Sequence, residues 1–208
     1  MKRPGLFLSL DGIDGTGKST QCRLLVDWLR GRGLDVVACA DPGGTALGQE
    51  LRQILLHGRH EITQAARALL FMASRAQLVA EVIRPALEAG RVVVCDRYLL
   101  ANVVYQGHGG GLDVEQLWQA GRLSTGGLEP DRTFVLDLPS EAALARRDRP
   151  ADRMENEPPE YHRRVREGFL AEARRRPERV VVLDAGPGID EVQARLRREV
   201  EKLLRQEG

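Results

Sequence analysis

The chain has 208 residues, 42% hydrophobic and 29% charged, with a net charge of +1. That is enough apolar material for one domain around one core, so 1–208 is expected to fold as a single unit. The near-neutral balance gives no reason to expect nucleic acid or an anionic membrane as partner, and no apolar run approaches the roughly 18 residues of a membrane span.

Gly5–Leu10 is a short apolar run ending at Asp11 and reads as a buried strand. The apolar run after Lys2 and Arg3 is too short for a signal peptide. From Lys18 to about Gly31, Leu24, Leu25, Trp28 and Leu29 share one helical face. A second strand over Leu34–Ala40 is broken by Pro42-Gly43-Gly44, and Ala46–Leu56 is expected to be helical. Ala65–Ala89 carries a long apolar period and predicts one long helix, distorted near its end by Pro85. Arg91–Cys95 is a third strand. His108 to Gly111 is read as a flexible loop, with His108 on the surface. Asp113 is a plausible helix cap. Thr133–Asp137 is a fourth strand, Ser140 is expected to cap the next helix, and Pro158-Pro159 restarts the chain into a helix to about Arg176. Val180–Leu183 is the fifth strand and Ile189–Leu204 the closing helix. Five apolar strands alternating with helices predict an α/β fold: a five-stranded parallel sheet with helices on both faces. Asp11, Asp41, Asp96, Asp137 and Asp184 each fall at or just past a strand end, on the edge where such sheets bind ligands. Cys22, Cys39 and Cys95 show no CxxC spacing and read as reduced core residues, which suits a cytoplasmic location.

Gly12-Ile13-Asp14-Gly15-Thr16-Gly17-Lys18-Ser19 satisfies GxxxxGK[ST] at every fixed position, with a strand before it and a helix after. Such a loop wraps backbone N–H groups around phosphate oxygens at a helix N-terminus. Gly12 to Thr20 are therefore the candidate ATP contacts, with Lys18 reaching the terminal phosphates and the Ser19 hydroxyl meeting Mg²⁺. Only three lysines exist, Lys2, Lys18 and Lys202, against 28 arginines, so the Asn-Lys-x-Asp motif of guanine recognition is impossible. A small nucleoside or nucleotide kinase is the expected class. Asp96-Arg97-Tyr98 ends the third strand near the loop. Asp96 is placed to join the Mg²⁺ shell and Arg97 to bridge donor and acceptor phosphates; read alone, the pair also fits a surface ion pair.

The chain resembles the thymidylate kinase family over nearly its whole length. The likeness rests on Asp11-Gly-Ile-Asp14, Asp41-Pro-Gly-Gly-Thr45, Leu51-Arg52-Gln-Ile-Leu-Leu56 and Leu70-Phe71-Met-Ala-Ser-Arg75-Ala-Gln77, followed by Asp96-Arg97-Tyr98, Tyr105-Gln106-Gly107, Pro130-Asp131 before Leu136-Asp137, and Asp152-Arg153-Met154-Glu155. The resemblance implies transfer of the γ-phosphoryl group of ATP to dTMP. It implies that Phe71 stacks on thymine, Arg75 hydrogen-bonds its exocyclic oxygen, and Arg52 and Arg97 clamp the acceptor phosphate. Asn102 and Gln106 would lie around the base, Tyr105 against the deoxyribose, and Asp14 at the sugar hydroxyl or the transfer geometry. Phe71 and Arg75 are four residues apart, hence on one helix face. A lid over about 146–158 would supply a charge-stabilising arginine from Arg147, Arg149 or Arg153, because the phosphate loop has Gly15 where one branch of the family has arginine. A homodimer built on helices is also implied, with the apolar stripe on 65–83 as a candidate face. Two departures stand out: Ala40-Asp41 replaces the usual Arg-Glu before Pro-Gly-Gly, and Leu100-Ala101-Asn102 replaces a run of hydroxyl residues.

Overall fold

The computed structural model describes residues 5–146 and 156–206. Five strands form one parallel sheet in the order β2-β3-β1-β4-β5: β1 Leu6–Asp11, β2 Val36–Ala40, β3 Val92–Asp96, β4 Arg132–Asp137 and β5 Val180–Asp184. Every residue of β1 is buried, as are Val92–Cys95 and Thr133–Leu136. Both faces of the central strands are therefore covered, which is why these segments read as continuous apolar runs and not as alternating ones.

Helix α1 (Lys18–Gly31) packs on β2, β3 and the closing helix α9 (Ile189–Gln206). Helix α8 (Pro159–Arg175) packs on β4 and β5. Helices α2 (Ala46–His57) and α3 (Gln64–Leu78) lie against each other. Each begins at a threonine whose side chain accepts a backbone N–H of the first turn: Thr45 from Gly48, and Thr63 from Ala66. Asp113 caps α6 (Val114–Thr125) in the same way, through the Gln116 N–H at 2.8 Å.

Three expectations need correction. The predicted long helix over 65–89 is three pieces: α3, a π-helical turn at Val79–Ile83, and α4 (Arg84–Glu88). Pro85 has no N–H to offer the Glu81 carbonyl, and the preceding Arg84 N–H bonds back to Val79 across a wider turn. Ser140 does not cap its helix. It is the first residue of α7 (Ser140–Ala145), and the carbonyl of Pro139 already accepts the Ala143 N–H at 3.0 Å. Of the segment read as a loop, His108 and Gly109 end a helical run that begins at Leu99, as α5 (Leu99–Asn102) and a second π-helical stretch, Val103–Gly109, and only Gly110 and Gly111 lie beyond it. Nearly all of it is buried, so it shows no polar face from which a helical period could be read.

Phe134 is fully buried in β4 beside the central strand. Phe134→Ala is expected to cost about 3–5 kcal/mol, seen as a lower urea midpoint at unchanged slope.

Candidate active site

The phosphate loop occupies the carboxyl end of β1, the middle strand of the sheet. Gly12, Gly15 and Gly17 all have positive φ. At Gly15 (φ +87) a Cβ would also lie 2.0 Å from the Ala143 carbonyl oxygen, so no side chain fits there without moving α7. The loop holds itself closed: the Ile13 carbonyl accepts both the Lys18 ammonium (2.7 Å) and the Thr16 hydroxyl (2.9 Å). Burial pushes the Lys18 pKa down, reinforced by Arg97; Asp14 and Asp96 pull it back. Ser19 donates its hydroxyl to Asp96 Oδ2.

A cleft of about 720 Å³ opens over this loop. Its lining includes Asp14, Gly15, Gly17, Lys18, Ser19, Thr20, Asp96 and Arg97 together with Arg52, Phe71, Arg75, Asn102, Tyr105 and Gln106. The predicted donor and acceptor residues thus share one cavity. Gly12, Ile13 and Thr16 do not line it and serve as the loop's frame. Arg147, Arg149 and Arg153 lie outside the described residues.

Arg97 is the described non-glycine residue with left-handed backbone (φ 69), a costly conformation for a side chain of its size. The turn sends its guanidinium back across the loop. It donates to the Gly12 carbonyl (2.9 Å), to Asp14 Oδ1, and to the Tyr105 hydroxyl (3.2 Å), and it stands 5.0 Å from the centre of the Tyr105 ring. Tyr105 in turn donates to Asp14 Oδ2 at 3.0 Å. Burial alone would raise the Asp14 pKa, but Arg97 and Lys18 outweigh it and hold the carboxyl well below the ordinary range. Asp14 is therefore an anchor for Arg97 and stays ionised at neutral pH.

Arg75 is almost wholly buried, paired through Nε with Asp41 Oδ2 at 2.5 Å and through Nη1 with Asn102 Oδ1 at 3.1 Å. Asn102 Nδ2 donates to Gln106 Oε1 at 2.8 Å. Arg52 donates to the Pro42 carbonyl at 2.9 Å. His108 faces elsewhere, bonded to the buried Glu172 at 3.1 Å. The strand-end aspartates have separate tasks: Asp137 pairs with Arg166 through two bonds of 2.7 and 2.9 Å, and Asp184 accepts the Gly186 N–H.

Sequence reasoning passed over Gln49 and Leu56 in the lining, and it gave Asp41 and Arg146 a place at the sheet edge and in the lid but no contact of their own. Arg146 donates to the Ala185 and Gly186 carbonyls at 2.8 and 2.9 Å, tying the end of α7 to the loop after β5. The available signal for Asp41 was an acid between an apolar strand and a Pro-Gly-Gly turn.

Residues 10–196 match the family described as thymidylate kinase. This chain belongs to that family. It is 49% identical to the thymidylate kinase of Symbiobacterium thermophilum over 204 residues, covering 96% of this chain and 94% of that one. It is also 49% identical to that of Leifsonia xyli subsp. xyli over 199 residues, 94% of each. The solved thymidylate kinase of Ehrlichia chaffeensis superposes with a TM-score of 0.79 at 28% identity, over 95% of this chain and 99% of that one. The fold is accordingly that of a P-loop kinase, and the chain is an enzyme. No helix among the described residues is long and apolar enough to cross a membrane.

One buried group beneath the cleft is still unaccounted for. Asp11 is fully buried, and neither carboxylate oxygen has a hydrogen-bond partner among the described residues. Burial pushes its pKa from 3.8 up to about 7, against the pull of Arg97 and Lys18. Between those values the folded chain holds a proton that the unfolded chain has lost, so stability falls as pH rises through that window. Nucleotide-free protein is expected to lose urea resistance between about pH 4.5 and 7.5 relative to Asp11→Asn. Parallel pH profiles for the two proteins would contradict this.

Proposed function

We propose that this chain transfers the γ-phosphoryl group of ATP to dTMP, giving ADP and dTDP, and that it does so as a cytoplasmic homodimer. The observation that carries the reading is the position of Arg97, whose guanidinium touches the phosphate loop at Gly12 and the acceptor wall at Tyr105 at once. A cation there faces both reacting phosphates, which would otherwise repel each other.

ATP would lie with its phosphates against Gly15, Gly17, Lys18, Ser19 and Thr20. Lys18 would exchange the Ile13 carbonyl for phosphate oxygens, since an ammonium held by a neutral carbonyl gains from an anionic partner. Ser19 Oγ and an Asp96 carboxylate oxygen, already in contact, are hard oxygen donors suited to Mg²⁺. When bound, Mg²⁺ would offset charge on the nucleotide phosphates.

On the acceptor side, Phe71 offers a ring for stacking, Arg75 N–H donors for the base, and Arg52 with Arg97 a paired clamp for the monophosphate. Tyr105 stands where the sugar would lie, its hydroxyl fixed by Asp14 and Arg97. The acceptor oxygen belongs to an anionic phosphate, so the step calls for alignment and charge neutralisation and not for a general base. One of Arg147, Arg149 and Arg153 would complete the positive field. Of the departures, Ala101 lines the cleft and Leu100 is buried in the core, so neither brings a hydroxyl to the base. For the dimer, exposed Leu47, Ile54, Leu69 and Leu123 on α2, α3 and α6 supply apolar surface.

ADP formation from Mg·ATP should be fastest, by kcat/KM, with dTMP in a panel that also contains dUMP, UMP, CMP, AMP, GMP and thymidine. Another preferred monophosphate would reassign the acceptor, and absence of acceptor-dependent turnover would refute the kinase reading. Arg97→Ala is expected to lower kcat by roughly 10³-fold or more while changing the KM for ATP little. Near-normal turnover in that variant would remove Arg97 from the mechanism.

A further inference from the structure

Helix α8 packs along the π-helical stretch Val103–Gly109 with a glycine on each side of the contact. A Cβ on Gly109 would stand 2.7 Å from the Val165 side chain and 2.8 Å from the Tyr161 ring, and one on Gly168 would stand 2.6 Å from His108. Each backbone therefore comes closer to its neighbour than a side chain there would allow. Hydrogen bonds run along the same face of the helix. The Tyr161 hydroxyl donates to the Tyr105 carbonyl at 2.9 Å, Arg164 donates to the Gly109 carbonyl at 2.8 Å, and Glu172 bonds His108 at 3.1 Å. Just ahead of α8, Glu157 pairs with Arg67 of α3 at 3.3 Å, which holds the end of the helix that carries Tyr161.

Tyr161 differs from the other ties in where its bond leads. As the stretch ends, the N–H groups of Gly110 and Gly111 turn to the Gly107 carbonyl and that of Leu112 to the Gln106 carbonyl. The next carbonyl back is that of Tyr105, and a side chain from another helix reaches it, as helix ends require. Tyr161 is buried, its ring centre 6.4 Å from that of Tyr105, and Phe169 stands edge-on to Tyr105 at 6.0 Å. Tyr105 is thus gripped at its backbone and ring by α8. Its hydroxyl, at the far end of the ring, meets Asp14 Oδ2 at 3.0 Å and Arg97 at 3.2 Å.

We propose that Tyr161 is a positioning residue for phosphoryl transfer: by holding the Tyr105 carbonyl it keeps the Tyr105 hydroxyl on Asp14 and Arg97, and so keeps the Arg97 guanidinium aligned for the reacting phosphates. The inference rests on the phosphotransfer reading above and extends it to a side chain that does not line the cleft. Charge neutralisation is effective when the cation is in place before reaction. A small misplacement passed on from a distant residue lowers the rate of such a step. The bond leads to the transfer centre and not to the base, so choice of base is not its task.

The test is a double-mutant cycle on kcat for dTMP, with wild type, Tyr161→Phe, Tyr105→Phe and the double variant. Tyr161→Phe removes one oxygen and keeps the ring, and is expected to lower kcat about fivefold. The KM for ATP and the dTMP/dUMP ratio of kcat/KM should stay put. In the Tyr105→Phe background no hydroxyl is left to position, and the same substitution should change kcat by less than about twofold. Glu157→Gln loosens the same end of α8 from the α3 side and carries the same cycle if Tyr161→Phe does not fold. Equal losses in the two backgrounds mark a merely structural tie and overturn the proposal, as does full kcat in Tyr161→Phe. A wild type without dTMP-dependent turnover overturns the transfer reading and the role of Tyr161 with it; a wild type that turns over while the losses add overturns the role of Tyr161 alone.

Discussion

The guanidinium of Arg97 lies against Gly12, Asp14 and Tyr105 at the same time, and most of the cleft is arranged around that cation. A partly buried arginine needs a carboxylate and further acceptors, because its desolvation is costly and an unpaired charge is worse. Asp14 supplies the charge, the Gly12 carbonyl and the Tyr105 hydroxyl fill remaining donors, and Lys18 stands 3.6 Å from the same carboxylate. The left-handed backbone at Arg97 is the local cost of turning that side chain toward the loop. The result is a positive centre fixed before any nucleotide binds, which is the kind of preorganisation that phosphoryl transfer rewards.

A second ion pair lining the same cleft, Arg75 with Asp41, is fully buried, whereas Arg97 with Asp14 is partly exposed. Both pairs join distant parts of the sequence at the carboxyl edge of the sheet. Burial raises the Asp41 pKa, and Arg75 opposes the rise; at Asp14 the two cations win outright. The difference follows from the partners: Asp14 has Arg97, Lys18 and a hydroxyl, whereas one oxygen of Asp41 has no partner among the described residues. Asp11 has none on either oxygen, and burial pushes its pKa up to about 7.

The acceptor wall is stiffened from behind. Tyr161 of α8 donates to the Tyr105 carbonyl at 2.9 Å, and Arg164 donates to the Gly109 carbonyl at 2.8 Å, so the π-helical stretch carrying Tyr105 and Gln106 is fastened to the helix that follows residues 147–155. Glu172 of the same helix, fully buried, gathers His108 from the π-helical stretch, Trp118 from α6 and its own neighbour Arg175. His108 is thus a structural tie, and its distance from the cleft is a matter of packing that no local pattern announces.

The amino-acid sequence by itself determined the strand–helix alternation and the phosphate loop, and it named residues that the fold brings to one cleft. Each of these is a local matter: apolar runs bounded by turns, glycines at fixed spacing, and side chains on one helix face. It also pointed to the family, through motifs whose order along the chain is itself information. Other features were decided only by tertiary structure. Leu99–Gly109 carries no period because neighbours surround it on every side. Pro85 announced a distortion near the end of its helix, but the π-helical turn at Val79–Ile83, with Arg84 bonding back to Val79, was not legible in the pattern. Asp41 reads as punctuation after a strand, and it becomes part of the site only because folding brings β2 and α3 together and turns Arg75 inward. Partnership between charges far apart in the chain is set by the path of the backbone, and residue identities alone do not contain it.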